Sequence, residues 1–325
     1  MDSDSKPEVS TLKFWVLSGC AFASIFGGLY YLYNQEDETE NLESEQTEST
    51  SHFNTTNSNT PFSENSKEIS LKKLSSYLND KQLSNIQQVI KAIQSNLLNQ
   101  QHENSLLSKE VLCDIIALIV ELADFILHSR NSEYIERRRD NLGTPKYSEL
   151  CKDYFTIYTF CLTTSRKCVL KLLNIRSKNF KGSIELHSKD EVFYGLINYY
   201  KNIFGNMENS KLAVLESKTL GYVFGKYCSK VISSVAEVES FIDEEKRKGK
   251  MTEDELNSLY AVKLNYNRLK VSDEMVKVYG FDETQLRYYM VNVHKKEFEE
   301  SQDYLELVTL LERINGVELI ALGFT

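Results

Sequence analysis

An uncharged run from Phe14 to Tyr33 constrains this chain more than any other feature, because 20 residues without a formal charge are long enough to cross a bilayer as a helix. Within it Gly19, Cys20, Ala23, Ser24, Gly27 and Gly28 recur at three- and four-residue intervals. Such a stripe of small side chains lets a second helix approach closely, with Phe14, Trp15, Phe22, Phe26 and Leu29 supplying bulk elsewhere. The expectation is a single-pass anchor whose partners are the lipid bilayer and, through the small-residue face, a protein helix. Ala21-Phe22-Ala23 resembles a signal-peptidase site, but the apolar run continues ten residues beyond it. A mitochondrial presequence does not fit either, since Met1 to Lys13 carries three acids and no arginine.

Lys6 and Lys13 precede the run and the next base is Lys67, so the positive-inside rule puts the N-terminus on the cytosolic or matrix side of an organelle or endomembrane. Between them, residues 34–66 are rich in Glu, Ser, Thr and Asn and poor in apolar side chains, the composition of a disordered linker. A flexible chain of that length places the C-terminal part of the protein roughly 30 Å from the bilayer. The sequon Asn54-Thr55-Thr56 lies inside this stretch and serves as a reporter of topology.

Charge is distributed unevenly. Of the net -9, residues 1–34 hold -1 and residues 35–66 hold -8, so the remainder sums to zero. A balanced body lacks the broad positive field that attracts nucleic acid, and no nucleic-acid partner is expected.

From Leu71 onward apolar residues recur with helical spacing, and no proline comes after Pro145. The fold class expected is all-α: a short tail at 1–13, the transmembrane helix at 14–33, the acidic linker at 34–66, and a helical domain at 67–325, built as a multi-helix bundle or an irregular array. The periodicity predicts helices near 71–79, 82–100, 105–129, 131–140, 146–176, 188–207, 210–248, 252–269, 272–279 and 282–314. Ser188 with Glu191 and Thr252 with Glu255 match the capping box.

The stretch Val111 to Leu127 is apolar over most of its circumference and reads as the central core helix, with Glu110, Asp114, Glu121, Asp124 and His128 forming its solvated edge. Tyr147, Cys151, Tyr154, Tyr158, Cys161, Ser165, Cys168, Leu172 and Ile175 alternate in steps of four and three, the spacing of a packed seam. Gly221, Gly225, Ser229, Ser233 and Ala236 form a second small-residue track, suited to a tight helix crossing or to a partner groove. Tyr222 and Lys226 have the spacing of a dehydrogenase acid pair without its glycine-rich turn, and read as coincidence. Arg137-Arg138-Arg139 and Lys246-Arg247-Lys248 are flanked by acids and read as exposed helical faces.

The five cysteines beyond Cys20 fit reduced core residues, and no metal-ligand, cofactor or catalytic pattern emerges. The function expected is that of a membrane-anchored binding protein acting as a tether, adaptor or complex-assembly subunit. The alternative is a membrane-anchored enzyme whose residues converge only in three dimensions, with His128, Glu121 and Asp124 as its candidates.

Overall fold

The computed structural model describes residues 64–99, 106–188, 193, 201–205 and 207–299. The apolar run Phe14 to Tyr33, with its face Gly19, Cys20, Ala23, Ser24, Gly27 and Gly28, lies outside these residues, as does most of the acidic linker. Among the described residues the fold is all-α, and no helix is long and apolar enough to cross a membrane.

The helices are α1 (Glu64–Ser75), α2 (Asp80–Asn99), α3 (Lys109–Asp140), α4 (Pro145–Leu173), α5 (Ser177–His187), α6 (Ser210–Ala213), α7 (Ser217–Lys248), α8 (Glu253–Tyr279) and α9 (Glu283–Tyr288). A π-helical turn, Tyr289–Val293, leads into α10 (Lys295–Glu299). The chain divides into a larger unit, Pro61–Val231 with Arg268–Thr325, and a smaller one whose described part is Ile232–Asn267.

In the larger unit α3 is the core helix, as its apolar circumference requires. Leu112, Ile115, Ile116, Leu118, Ile119 and Leu122 have no exposed surface. Ser108 caps its start by accepting from the Val111 N–H at 3.5 Å. The interruption expected after residue 129 survives only as a kink, with Asn131 at φ -131°, ψ 25° inside one continuous element. Its cause is local: Ser129 Oγ donates to the Ile126 carbonyl at 3.2 Å, and Ser and Asn compete in this way with the helical ladder.

Helix α4 packs chiefly on α3 and also on α1 and α2. Pro145 stands in its first turn, where the missing N–H costs nothing. Its seam behaves as its spacing demands, since Tyr147, Cys151, Cys161, Ser165, Cys168, Leu172 and Ile175 are buried and Tyr154 and Tyr158 half-buried. The helix stops at Asn174, whose left-handed φ of 59° lets the Ile175 N–H reach the Leu170 carbonyl at 2.9 Å.

Several boundaries differ from the periodicity reading. Helix α1 begins at Glu64, inside the segment read as linker. Helix α5 has no counterpart among the expected helices, although Phe180 and Ile184 bury the i, i+4 stripe that marks it. Ser188 ends α5 instead of starting a helix, and Lys201 to Gly205 is a turn segment instead of a helix end. The expected helix 210–248 is broken around Val214 to Glu216, whereas the break expected near residue 270 is absent from α8.

The smaller unit is a helical hairpin formed by the end of α7 and the start of α8, turning at Gly249 with φ 64°. Its second helix opens on the expected capping box: the Thr252 N–H donates to Glu255 Oε2 at 2.7 Å, and the Glu255 N–H donates to Thr252 Oγ1 at 3.3 Å. Val235, Val238, Leu256 and Leu264 are its buried apolar side chains, and the Lys263 ammonium lies 3.9 Å from the centre of the Phe241 ring.

Candidate functional site

The acidic stripe of α3 is not a uniform solvated edge. Glu110 and His128 are exposed and Asp114 and Asp124 half-buried, but Glu121 is 1% exposed. Its carboxylate accepts from two backbone N–H groups of the turn segment, Lys201 at close range and Ile203 at 3.0 Å. The same segment is held from α2 by Asn85 Nδ2, which donates to the Ile203 carbonyl at 3.1 Å. It is held from α3 by Phe125, whose ring stacks on Phe204 at 4.8 Å. Glu121 therefore serves as an internal cap for backbone N–H groups of this turn segment. Sequence reasoning missed this because helical periodicity places Glu121 on a polar stripe but says nothing of what is laid over that stripe.

Burial pushes the Glu121 carboxyl up to about 7, against the N–H groups and the Lys201 charge that pull it down. Asp124, one turn on, is likewise raised to about 7 by burial, opposed by His128 and a hydrogen bond with Tyr158 and reinforced by Asp282 and Glu121. Lys201 also pairs with Asp114. His128 Nδ1 contacts the Asp124 backbone oxygen at 2.8 Å, a local helical contact, and the imidazole sits at the surface. Asp124 thus lies within electrostatic reach of both Glu121 and His128 on one stretch of helix, with Glu121 taken up by the turn segment and the imidazole at the surface. Among the described residues, no group of His, Cys, Asp and Glu could hold a metal ion.

Two buried ion-pair networks accompany this stripe in the larger unit. Arg138, expected at an exposed face with Arg137 and Arg139, is instead 2% exposed. Its Nε and Nη2 grip both Asp273 oxygens at 2.8 and 2.7 Å, and its guanidinium lies 4.1 Å from the Tyr154 ring centre. Tyr147 Oη donates to Asp273 Oδ2 at 2.8 Å, and Arg139 Nε donates to Oδ1 at 3.2 Å. The second network joins Glu283 to Arg268 at 3.2 Å and, more closely, to Arg287, with Tyr227 Oη 3.5 Å from Arg287 Nη2. Burial would raise the Glu283 carboxyl, but the charges of Arg287 and Arg268 outweigh it and hold the group down at about 2. Both clusters are fastenings, the first between helices 135 residues apart and the second between the consecutive α8 and α9, since their carboxylates are already filled by protein donors.

The small-residue track of α7 is largely exposed among the described residues. In the larger unit Gly225 and Ser229 are exposed and Gly221 half-buried, and a Cβ built on Gly225 would meet nothing within 4 Å. In the hairpin Ser233 and Ala236 are exposed as well. Among the described residues, then, none approaches Gly225 in a tight crossing. Tyr222 is exposed beside it with the Lys226 ammonium 5.4 Å from its ring centre, a surface cation–π contact. Cys113, Cys151, Cys161, Cys168 and Cys228 are free and buried. Burial pushes the Cys113 and Cys228 thiols up to about 12 and those of Cys151 and Cys161 to about 11, which makes them poor nucleophiles.

No family model, no curated protein and no solved structure matches this chain.

Proposed function

We propose that the chain is a single-pass membrane protein whose helical body works by binding, as a tether, adaptor or complex-assembly subunit. The anchor in this reading is Phe14 to Tyr33, and the partners are the bilayer and at least one protein. The observation that carries the binding half is the exposure of Gly225 and Ser229 on α7, with no described residue within 4 Å of a Cβ at Gly225. A helix face with exposed Gly225 and Ser229 offers a partner helix a close approach. The other polar features support the same reading, because Glu121, Arg138, Asp273 and Glu283 are occupied in holding the body together.

The test is Gly225→Leu in the full-length protein. No described residue stands within 4 Å of a Cβ there, so the fold should persist, while co-purification of partners from a detergent extract falls. Undiminished recovery of partners removes the groove, and reproducible recovery of the chain alone removes the binding role. Extraction of the full-length chain by alkaline carbonate removes the anchor.

The raised carboxyls of Glu121 and Asp124 are the one observation favouring the enzyme reading, since displaced ionisation accompanies catalytic acids. A substrate-dependent activity abolished by Asp124→Asn with the fold intact would establish it.

A further inference from the structure

No described residue requires a glycine at position 225. It stands inside α7 without a left-handed φ, and a Cβ there would meet nothing within 4 Å, so an alanine would fit and would favour the helix. What the bare position leaves open is backbone, on the face that this stretch of α7 turns outward. Leu220, Val223, Phe224, Tyr227, Cys228 and Val231 bury the opposite face. On the outward face Lys218, Gly225 and Ser229 fall on one line at i, i+7 and i+11, with Tyr222 and Lys226 beside it, and all five are exposed.

This face is basic. From Ser217 to Val231 there are three lysines and no acid. The ion pair between Lys230 and Glu274 joins the stretch to α8, where Lys270 and Lys277, one turn to either side of Glu274, are exposed as well. Between Arg268 and Tyr279 the acids are Glu274 itself and Asp273, which is buried and gripped by Arg138. Among the described residues, Lys218, Lys226, Lys270 and Lys277 have no carboxylate partner. Unpaired ammonium groups thus border an exposed tyrosine and an uncovered length of backbone, in a body whose total charge is zero.

Resting on the reading of α7 as a helix-docking surface, we propose that the partner helix is acidic, with small side chains laid against Gly225 and Ser229 and Asp or Glu along its edges facing the lysines of α7 and α8. Exposed ion pairs are individually weak, but complementary charge on the edges fixes the register of a docked helix and speeds its arrival. An anionic bilayer or a nucleic acid would use the same lysines. Neither gains from a missing side chain at position 225, inside a helix whose N–H groups are already bonded: a bilayer takes up apolar side chains that enter it, and phosphates are reached by long basic ones.

Fluorescence anisotropy on the full-length protein in neutral detergent tests this with two synthetic helical peptides that carry alanines along one face, bordered by glutamates in one and by lysines in the other. At about 0.1 M salt the glutamate peptide should bind at least about tenfold more tightly than its counterpart, and at about 1 M, where the screening length falls from about 10 Å to about 3 Å, its affinity should drop at least about threefold. Lys218→Glu with Lys226→Glu should weaken it at least about tenfold, whereas Lys91→Glu with Lys178→Glu, exposed bases on other helices, should change it less than about twofold. Gly225→Leu should weaken it at least about tenfold as well. Equal binding of the two peptides, or no measurable binding of the glutamate peptide, overturns the proposal. So does its displacement by duplex DNA or by phosphatidylserine-doped micelles at matched charge, which would make the face a general polyanion site. A loss with Gly225→Leu but none with the lysine reversals overturns the acidic partner and leaves helix docking in place, while a loss with the reversals but none with Gly225→Leu removes the docking of a helix on this face.

Discussion

The middle of α3 and the start of α9 each bury a glutamate, and the two carboxyls are displaced in opposite directions. Glu121 is raised to about 7 and Glu283 lowered to about 2, from a shared ordinary value of 4.5. Burial acts on both in the same sense. The difference lies in what faces them: Glu283 lies against two guanidinium groups, whereas Glu121 receives backbone N–H groups and a single partly exposed ammonium. Backbone dipoles orient a carboxylate without neutralising it, so they do not offset the loss of water as a full charge does. One region is therefore an apolar core that tolerates a glutamate as a loop cap. The other is an ionic fastening that requires its glutamate charged.

The largest way to break this contrast is to take the cation from Glu283. Arg287→Met should cost about 3–5 kcal/mol of folding stability, read from the urea midpoint at neutral pH, because it leaves a buried carboxylate only partly compensated. The carboxyl should then titrate upward, toward the behaviour of Glu121. In the unaltered protein the folded value of Glu283 lies below the unfolded one, so its contribution is present above pH 4.5 and lost as pH falls through about 2.

Glu121 carries the opposite sign. Its folded value exceeds its unfolded one, so its contribution is complete below pH 4.5 and lost as pH rises through about 7. Taken alone that swing is on the order of 3 kcal/mol. Glu121→Gln should remove it, flattening the change in urea midpoint between pH 5 and 8 that Asp124, raised by the same burial, otherwise shares. An unchanged slope would mean that Glu121 is not the titrating group. The smallest effect belongs to Lys201→Met, which should shift the Glu121 titration further upward while changing stability by under about 1 kcal/mol, since the ammonium and its partner Asp114 are both partly exposed.

Phe14 to Tyr33 and the track of α7 show a related limit. Spacing identifies a face of small side chains in either case. Whether that face is closed by a neighbour depends on where the neighbours are. Among the described residues the space before Gly225 is open, and helical periodicity carries no term for it.

What the amino-acid order determined unaided is whatever rests on contacts within a turn or two of helix. The all-α class, the apolar circumference of α3, the seam of α4, the interruption near Asn131 and the Thr252–Glu255 cap all belong here. Tertiary structure alone decided which polar residues went inside. Arg138 is buried and Arg137 exposed because Asp273 arrives from 135 residues away, and Glu121 is buried because the segment around Lys201 folds over it from 80 residues away. The physical reason is the same throughout: a helix's own periodicity sets the direction of each side chain, but desolvation and pairing energies depend on what the rest of the chain places in that direction.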